Sequence, residues 1–192
     1  MIYLIAGLVL FLGVHSVRIV ADDWRTARRA AIGENAWKGL YSVVSLVGFV
    51  LIIYGYGQVR LAPVVLYSPP VWTRHVAALL TLPAFILIVA AYVKGTRIKA
   101  RVGHPMVLGV KIWAFAHLLS NGALADVLLF GSFLVWAVVL YIASRRRDRI
   151  AGTVYVAGPP SRDLIAIVVG ALVWALFGFV LHGPLIGVRP FG

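Results

Sequence analysis

The sequence predicts an all-α protein, a polytopic integral membrane bundle of about six transmembrane helices. Of its 192 residues, 62% are hydrophobic and 12% are charged, and the mean hydropathy is +0.97. A soluble domain carries about a quarter charged residues. Apolar runs near the roughly 20 residues that a helix needs to cross a bilayer recur along the chain. Because lipid offers no hydrogen-bond partners to the backbone, such runs are expected to cross as helices.

Six spans are predicted. The first is interpreted as a spanning helix rather than a signal peptide, because it lacks a basic start and a small-residue cleavage site. The spans group into a five-helix membrane domain (1–145), a basic, Pro-containing cytoplasmic linker (146–163), and a sixth helix with a short outer tail (164–192). The predicted spans are 2–19, 40–58, 75–93, 105–120, 123–143 and 164–182.

Basic residues predict the orientation. Fourteen Lys and Arg residues lie in or beside the loops after spans 1, 3 and 5, against three on the opposite side. Cytoplasmic loops carry the excess of such residues. Both termini are therefore predicted outside, and the chain is expected in the bacterial inner (plasma) membrane.

The charge and the residue types also exclude several functions. The net charge of +12 lies beside hydrophobic spans, so it indicates contacts with lipid headgroups rather than with nucleic acid. The chain contains no Cys, which excludes disulfides and thiolate ligands. No phosphate-binding loop or zinc motif is present. The expected partner is the lipid bilayer, and the oligomeric state stays open.

A row of polar and small residues marks one face of span 2. By three- and four-residue spacing, this face holds Lys38, Tyr41, Ser42, Ser45 and Gly48. Two interpretations stay open. The face packs against a neighbouring helix, as small polar residues often do in membranes, or it lines a pocket in which Tyr41 is a hydrogen-bond donor.

Ionisable residues at membrane depth are the main candidates for function. His15 lies inside span 1. His117 lies inside span 4, with Trp113 and Asn121 on its face, and Lys111 one and a half turns before it. Neutral imidazole is the commonest metal ligand. The other histidines lie at span ends, where water or headgroups can solvate them: His75, His104 and His182.

Four sequence blocks together resemble the NnrU family of membrane proteins over about residues 1–145. They read FLGVHS, WKGLYSVVSLVG, GHPMVLGVKIWAFAHLLSNG and LLFGSFLVWA. The family includes a membrane protein associated with denitrification and, more distantly, the plant 15-cis-zeta-carotene isomerase. The resemblance implies either a role in nitrite or nitric oxide metabolism or cis–trans isomerisation of a lipophilic, polyene-like substrate.

The isomerase branch implies a haem b cofactor whose iron is held by two histidines. By motif position these are His15 and His117. The isomerase carries a cysteine, proposed as a switching ligand, where this chain has Ala114, so thiolate exchange is impossible here. In this interpretation Lys38, Tyr41 and Ser45 line the same interior, and Lys111 and Asn121 contact the propionates or fix an imidazole.

Depth in the membrane leaves a second ligand set open. His15 is predicted near the cytoplasmic edge and His117 near the outer edge, some 10–15 Å apart in depth at about 1.5 Å per residue. His117 could instead pair with His75 or His182, which also lie towards the outer side. His182 shares a helix face with Gly170, Trp174 and Gly178, where a flat macrocycle could approach.

Two other functional classes remain. The stretch GHPMVLG is similar to the R-H-P-x-Y-x-G motif of membrane isoprenylcysteine methyltransferases, which bind S-adenosylmethionine, and His104 and Pro105 would then shape the cofactor site. The later Glu-Glu motif of those enzymes is absent. The third class is a non-enzymatic accessory bundle that assists another membrane complex.

Overall fold

The structure is a computed structural model that describes residues 1–191, and within them it is helical with no strand beyond one isolated bridge, Val65–Ala123. A helical segment in π geometry, Leu176–Leu181, joins the last two α-helices without a break. The α-helices are α1 (Ile2–Val20), α2 (Asp22–Ile32), α3 (Glu34–Val59), α4 (Trp72–Tyr92), α5 (Arg97–Val102), α6 (Pro105–Ser120), α7 (Leu124–Ile150), α8 (Pro160–Ala175) and α9 (His182–Ile186).

The helix lengths confirm the predicted all-α membrane bundle. Among residues 1–191, five helices are long and apolar enough to cross a membrane: α1, α3, α4, α7 and the continuous run Pro160–Ile186. The predicted fourth span, α6, is apolar but has 16 residues, so it is about 24 Å long at 1.5 Å per residue. Many large apolar side chains are exposed, as lipid-facing positions require, for example Leu46, Val135 and Leu172.

Two segments that the sequence analysis placed between the predicted spans are partly helical. The stretch between the first two spans forms α2, and the predicted linker 146–163 contains the end of α7 and the start of α8. Arginines are good helix formers and are favoured near a helix C-terminus, so α7 continues to Ile150. Pro160 suits the first position of a helix and begins α8.

The described chain divides into two compact units. The first contains Met1–Tyr67 and Gly122–Trp136, and the second contains Ser68–Asn121 and the chain from Ala137 onward. Each unit is a group of residues in contact rather than a single stretch of sequence. The predicted division into 1–145, 146–163 and 164–192 concerns sequence segments and stays a prediction.

In the first unit, glycines set the distance between α1 and α3. A Cβ added at Gly7 would lie 2.6 Å from the Ile52 backbone nitrogen, and one at Gly48 would lie 2.8 Å from the backbone nitrogen of Phe11. Gly55 meets the backbone of Leu4 still more closely. Small residues let membrane helices approach backbone to backbone, where dispersion contacts replace the missing hydrophobic driving force.

In the second unit, α4 packs against both α6 and α8 by the same means. A Cβ at Gly109 of α6 would lie 2.7 Å from the Ala84 carbonyl oxygen, and one at Gly170 of α8 would lie 2.6 Å from Cα of Ile86. The Trp174 indole N–H also donates to the Thr81 hydroxyl at 3.0 Å. The central helix of this unit is therefore fixed on two sides by close backbone contacts.

Candidate functional site

His15 lies in the first unit, one turn after Phe11 on α1. Its Nδ1–H donates to the Phe11 carbonyl oxygen at 2.6 Å. Since a carbonyl can only accept, this bond assigns the proton of the neutral ring to Nδ1 and leaves the lone pair on Nε2. Metal-bound histidines commonly have their second ring nitrogen held in this way.

Aromatic side chains from three helices surround this imidazole. The Phe11 ring stacks on it with centroids 4.3 Å apart. Tyr41 of α3 and Trp136 of α7 approach edge-on at 5.2 and 6.1 Å. Phe133 completes the group, 5.8 Å from Phe11 and 6.3 Å from Trp136. We call these residues, with His15, the aromatic cluster.

Trp136 brings an unused donor to the aromatic cluster. Its indole Nε1 is buried and has no hydrogen-bond partner among residues 1–191. A buried donor without a partner costs about 1–3 kcal/mol. The cluster thus presents one acceptor, the lone pair on Nε2 of His15, together with one unsatisfied donor, which is the polarity expected where a polar or metal-containing ligand binds in an apolar setting.

The predicted companions of His15 on span 2 have different positions. Tyr41 lies in the aromatic cluster, and the Ser45 hydroxyl donates to the Tyr41 carbonyl oxygen at 2.7 Å, one turn along α3. The Lys38 side chain is 68% exposed and pairs with Glu34 at 2.8 Å. Its ammonium is therefore engaged at the start of α3, which does not support the expectation that it lines the interior.

His117 lies in the second unit, near the end of α6. Its Nδ1–H donates to the Trp113 carbonyl oxygen at 2.9 Å, and the Trp113 ring lies 5.0 Å from the imidazole, so its neutral tautomer matches that of His15. The Asn121 amide donates to the His117 carbonyl oxygen at 2.9 Å and to the Ser120 hydroxyl at 3.1 Å. Asn121 thus caps the C-terminal end of α6.

Lys111 lies one and a half turns before His117 on α6. Its ammonium lies 5.3 Å from the centroid of the Tyr141 ring of α7, within range of a cation–π interaction. The Tyr141 hydroxyl in turn donates to the Val102 carbonyl oxygen at 2.9 Å. This contact gives the lysine a partner within the second unit. A role for Lys111 or Asn121 towards haem propionates stays a prediction.

The residues of the alternative ligand set, His117 with His75 or His182, lie in the second unit, and this set stays a prediction. The His182 Nδ1–H donates to the Val188 carbonyl oxygen at 2.6 Å, and His75 is exposed. The face predicted to admit a macrocycle is covered by protein: Gly170 packs on Ile86, and a Cβ at Gly178 would lie 2.7 Å from the Phe191 ring. No group of three or more His, Cys, Asp or Glu able to hold a metal occurs in the described residues.

His104 belongs to a separate polar network in the second unit. Its Nε2–H donates to an Asp148 oxygen at 2.9 Å, and the Tyr155 hydroxyl donates to the same carboxylate at 3.2 Å. Arg145 lies 3.6 Å from it. Burial, followed by the Asp148 charge, raises the pKa of Tyr155, so its hydroxyl stays protonated and donating well above neutral pH. The network ties the loop after α7 to the start of α6.

Replacing Asp148 with Ala is expected to release this loop, because His104 and Tyr155 lose their common acceptor and Arg145 loses its ion-pair partner. We expect faster amide hydrogen exchange in 151–158 and a loss of about 1–3 kcal/mol in the free energy of unfolding. The control is Arg149→Ala, an exposed neighbour. Unchanged exchange in 151–158 would show that Asp148 does not hold the loop.

Sequence reasoning found His15, Tyr41 and His117 but missed the other members of the aromatic cluster, Phe11, Phe133 and Trp136. The signal available was the spacing of four between Phe11 and His15, which places both on one face of a helix. No such signal links Phe133 and Trp136 to His15, because about 120 residues of chain separate them.

The family model described as NnrU protein matches residues 3–190. The match extends beyond the residues 1–145 over which the resemblance was seen, and it includes the last spanning helix. No curated protein and no solved structure matches the chain.

Proposed function

The chain belongs to the NnrU family of membrane proteins, and we propose that it binds haem b within the membrane, with His15 supplying an iron ligand. The observation that carries the proposal is the state of His15. Its Nδ1–H is held by the Phe11 carbonyl within the aromatic cluster, so the neutral ring keeps its Nε2 lone pair for a metal. Neutral imidazole is the donor that haem iron takes from histidine.

The surrounding side chains fit a flat, apolar macrocycle with polar edges. Phe11, Phe133 and Trp136 offer ring surfaces, and the unpartnered Trp136 indole N–H offers a donor. His117 is the proposed second ligand. The support for it is its motif position and its tautomer, which the Trp113 carbonyl sets as the Phe11 carbonyl does for His15.

Haem b would supply a one-electron redox centre in an apolar setting. The residues of the chain hold the imidazoles in the binding tautomer and surround His15 with rings. Such a centre suits the two activities that the family resemblance implies, isomerisation of a lipophilic polyene and support of nitrite or nitric oxide metabolism. A ligand switch involving thiolate is excluded, since the chain contains no Cys.

The absorption spectrum of the detergent-purified protein, oxidised and reduced, tests the proposal. With haem supplied during expression, we expect a low-spin haem b spectrum. His15→Ala should abolish it or convert it to a high-spin form, because one of the two proposed iron ligands is lost, and His117→Ala should do the same. The matched control is His75→Ala, an exposed histidine, whose spectrum should equal that of the unsubstituted protein.

Two outcomes would contradict the proposal. One is a folded, monodisperse protein that stays colourless although haem was supplied. The other is a haem spectrum that His15→Ala leaves unchanged. If the haem spectrum is obtained, chromatography of a cis-polyene incubated with the reduced protein, and spectra recorded with nitric oxide, separate the two activities.

A further inference from the structure

The helix α2 lies between two spanning helices and is joined to each by a single residue. Ala21 separates it from α1, and Gly33 separates it from α3. Its 11 residues make it about 16 Å long, too short to cross a membrane. Because both neighbours are long and apolar enough to cross a membrane, α2 begins and ends close to the membrane surface.

The two faces of α2 differ in chemistry, and none of its residues is buried. By three- and four-residue spacing, Trp24, Ala27, Arg28 and Ala31 share one face, with Arg28 at its edge, whereas Arg25 and Arg29 lie further around the helix. Trp24 is 52% exposed. A short helix that carries arginines at and beyond the edge of a face of Trp and small residues is typical of helices that lie in the membrane interface.

Two carboxylates at the ends of α2 each form ion pairs with two basic side chains. Asp22 lies 3.2 Å from Arg25 and 3.9 Å from Arg18. Glu34 likewise lies 3.0 Å from Arg29 and 2.8 Å from Lys38. Each group of two cations and one carboxylate keeps a charge of +1.

Arg28 lies between these two ion-pair groups. Its guanidinium is 5.9 Å from the centroid of the Trp24 ring, and none of residues 1–191 supplies a carboxylate to it. Trp24 also meets Trp37 of α3 with ring centroids 6.0 Å apart. A guanidinium at the level of an interfacial indole lies where lipid phosphates lie.

We propose that α2 is an interfacial helix that binds anionic phospholipid headgroups, with Arg25, Arg28 and Arg29 contacting the phosphates. The occupant is lipid because the apolar face and the cations belong to one helix that is held at the membrane surface. The excess positive charge matches an anionic leaflet, which attracts basic segments next to spanning helices. The planar guanidinium of arginine suits phosphate oxygens.

The depth of α2 can be measured cleanly because the chain contains no Cys. Nitroxide labels are placed singly at Ala31→Cys, on the apolar face, and at Thr26→Cys, on the polar face; both residues are exposed. In bilayers, the label at position 31 should be accessible to oxygen and protected from a water-soluble nickel complex, and the label at position 26 should show the reverse. Equal accessibility at the two positions would overturn the interfacial placement.

Headgroup selectivity is measured by native mass spectrometry of the protein released from mixed phosphatidylglycerol and phosphatidylcholine bilayers. We expect retained phosphatidylglycerol to exceed phosphatidylcholine several-fold, and Arg25→Gln/Arg28→Gln/Arg29→Gln to remove that preference. The control, Arg101→Gln/Arg146→Gln/Arg149→Gln, changes the net charge equally at exposed positions elsewhere and should keep it. A preference that survives the first variant, is lost only in the control, or is absent from the unsubstituted protein would overturn the proposal. The haem spectrum is independent of all these outcomes.

Discussion

Gly55→Ala is expected to lower the free energy of unfolding by about 3 kcal/mol, near the top of the range for overpacking substitutions. The added methyl group would overlap the backbone of Leu4 and Tyr3. Backbone atoms of a packed helix cannot rotate away as a flexible side chain can, so α1 and α3 must separate. The separation also removes dispersion contacts along the whole helix pair. The change is measured by titrating the protein with SDS in mixed micelles and following helicity.

Gly57→Ala is the matched control, since it makes the same substitution two residues further along the same helix. Apart from the adjoining backbone of α3 itself, no atom of the described residues lies within 4 Å of a Cβ at Gly57. We expect it to be neutral or slightly stabilising, because alanine has the higher helix propensity. Equal effects of the two substitutions would show that α1 and α3 do not meet at Gly55.

Asp126→Ala is expected to cost a similar amount, about 3 kcal/mol, because it leaves two partly buried donors without an acceptor. Asp126 is only 8% exposed. One of its oxygens accepts the Tyr56 hydroxyl at 2.5 Å, and the other accepts the Ala123 backbone N–H at 2.9 Å. The carboxylate therefore joins the start of α7 to α3 within the first unit.

A double-mutant cycle with Tyr56→Phe isolates the bond between the two side chains. We expect a coupling energy of about 1.5–3 kcal/mol, the range for a hydrogen bond to a charged group. Tyr54→Phe is the control, because Tyr54 is 52% exposed and lies on the same helix. A coupling near zero would mean that Asp126 acts only through the Ala123 amide.

Asp126 has two structural roles, one that follows from its position in the sequence and one that appears only in the tertiary structure. An acidic residue is favoured in the first turn of a helix by the helix dipole, and Asp126 lies in the first turn of α7 and accepts the Ala123 amide. Its bond to Tyr56 joins residues 70 positions apart. The position of Asp126 within its helix follows from the local sequence, whereas its partner on another helix depends on how α3 and α7 pack.

The sequence by itself determined the helical class, the long spans and the candidates His15 and His117, because hydropathy and the cost of buried ionisable groups are properties of local segments. Only the tertiary structure decided which side chains surround His15, since Phe11, Tyr41 and Trp136 come from three helices. It also decided that Gly55 contacts a neighbouring helix and Gly57 does not. Both residues are glycines in the same apolar helix, so the sequence alone does not distinguish them. Their surroundings differ because the packing of the neighbouring helices determines which face of α3 is covered.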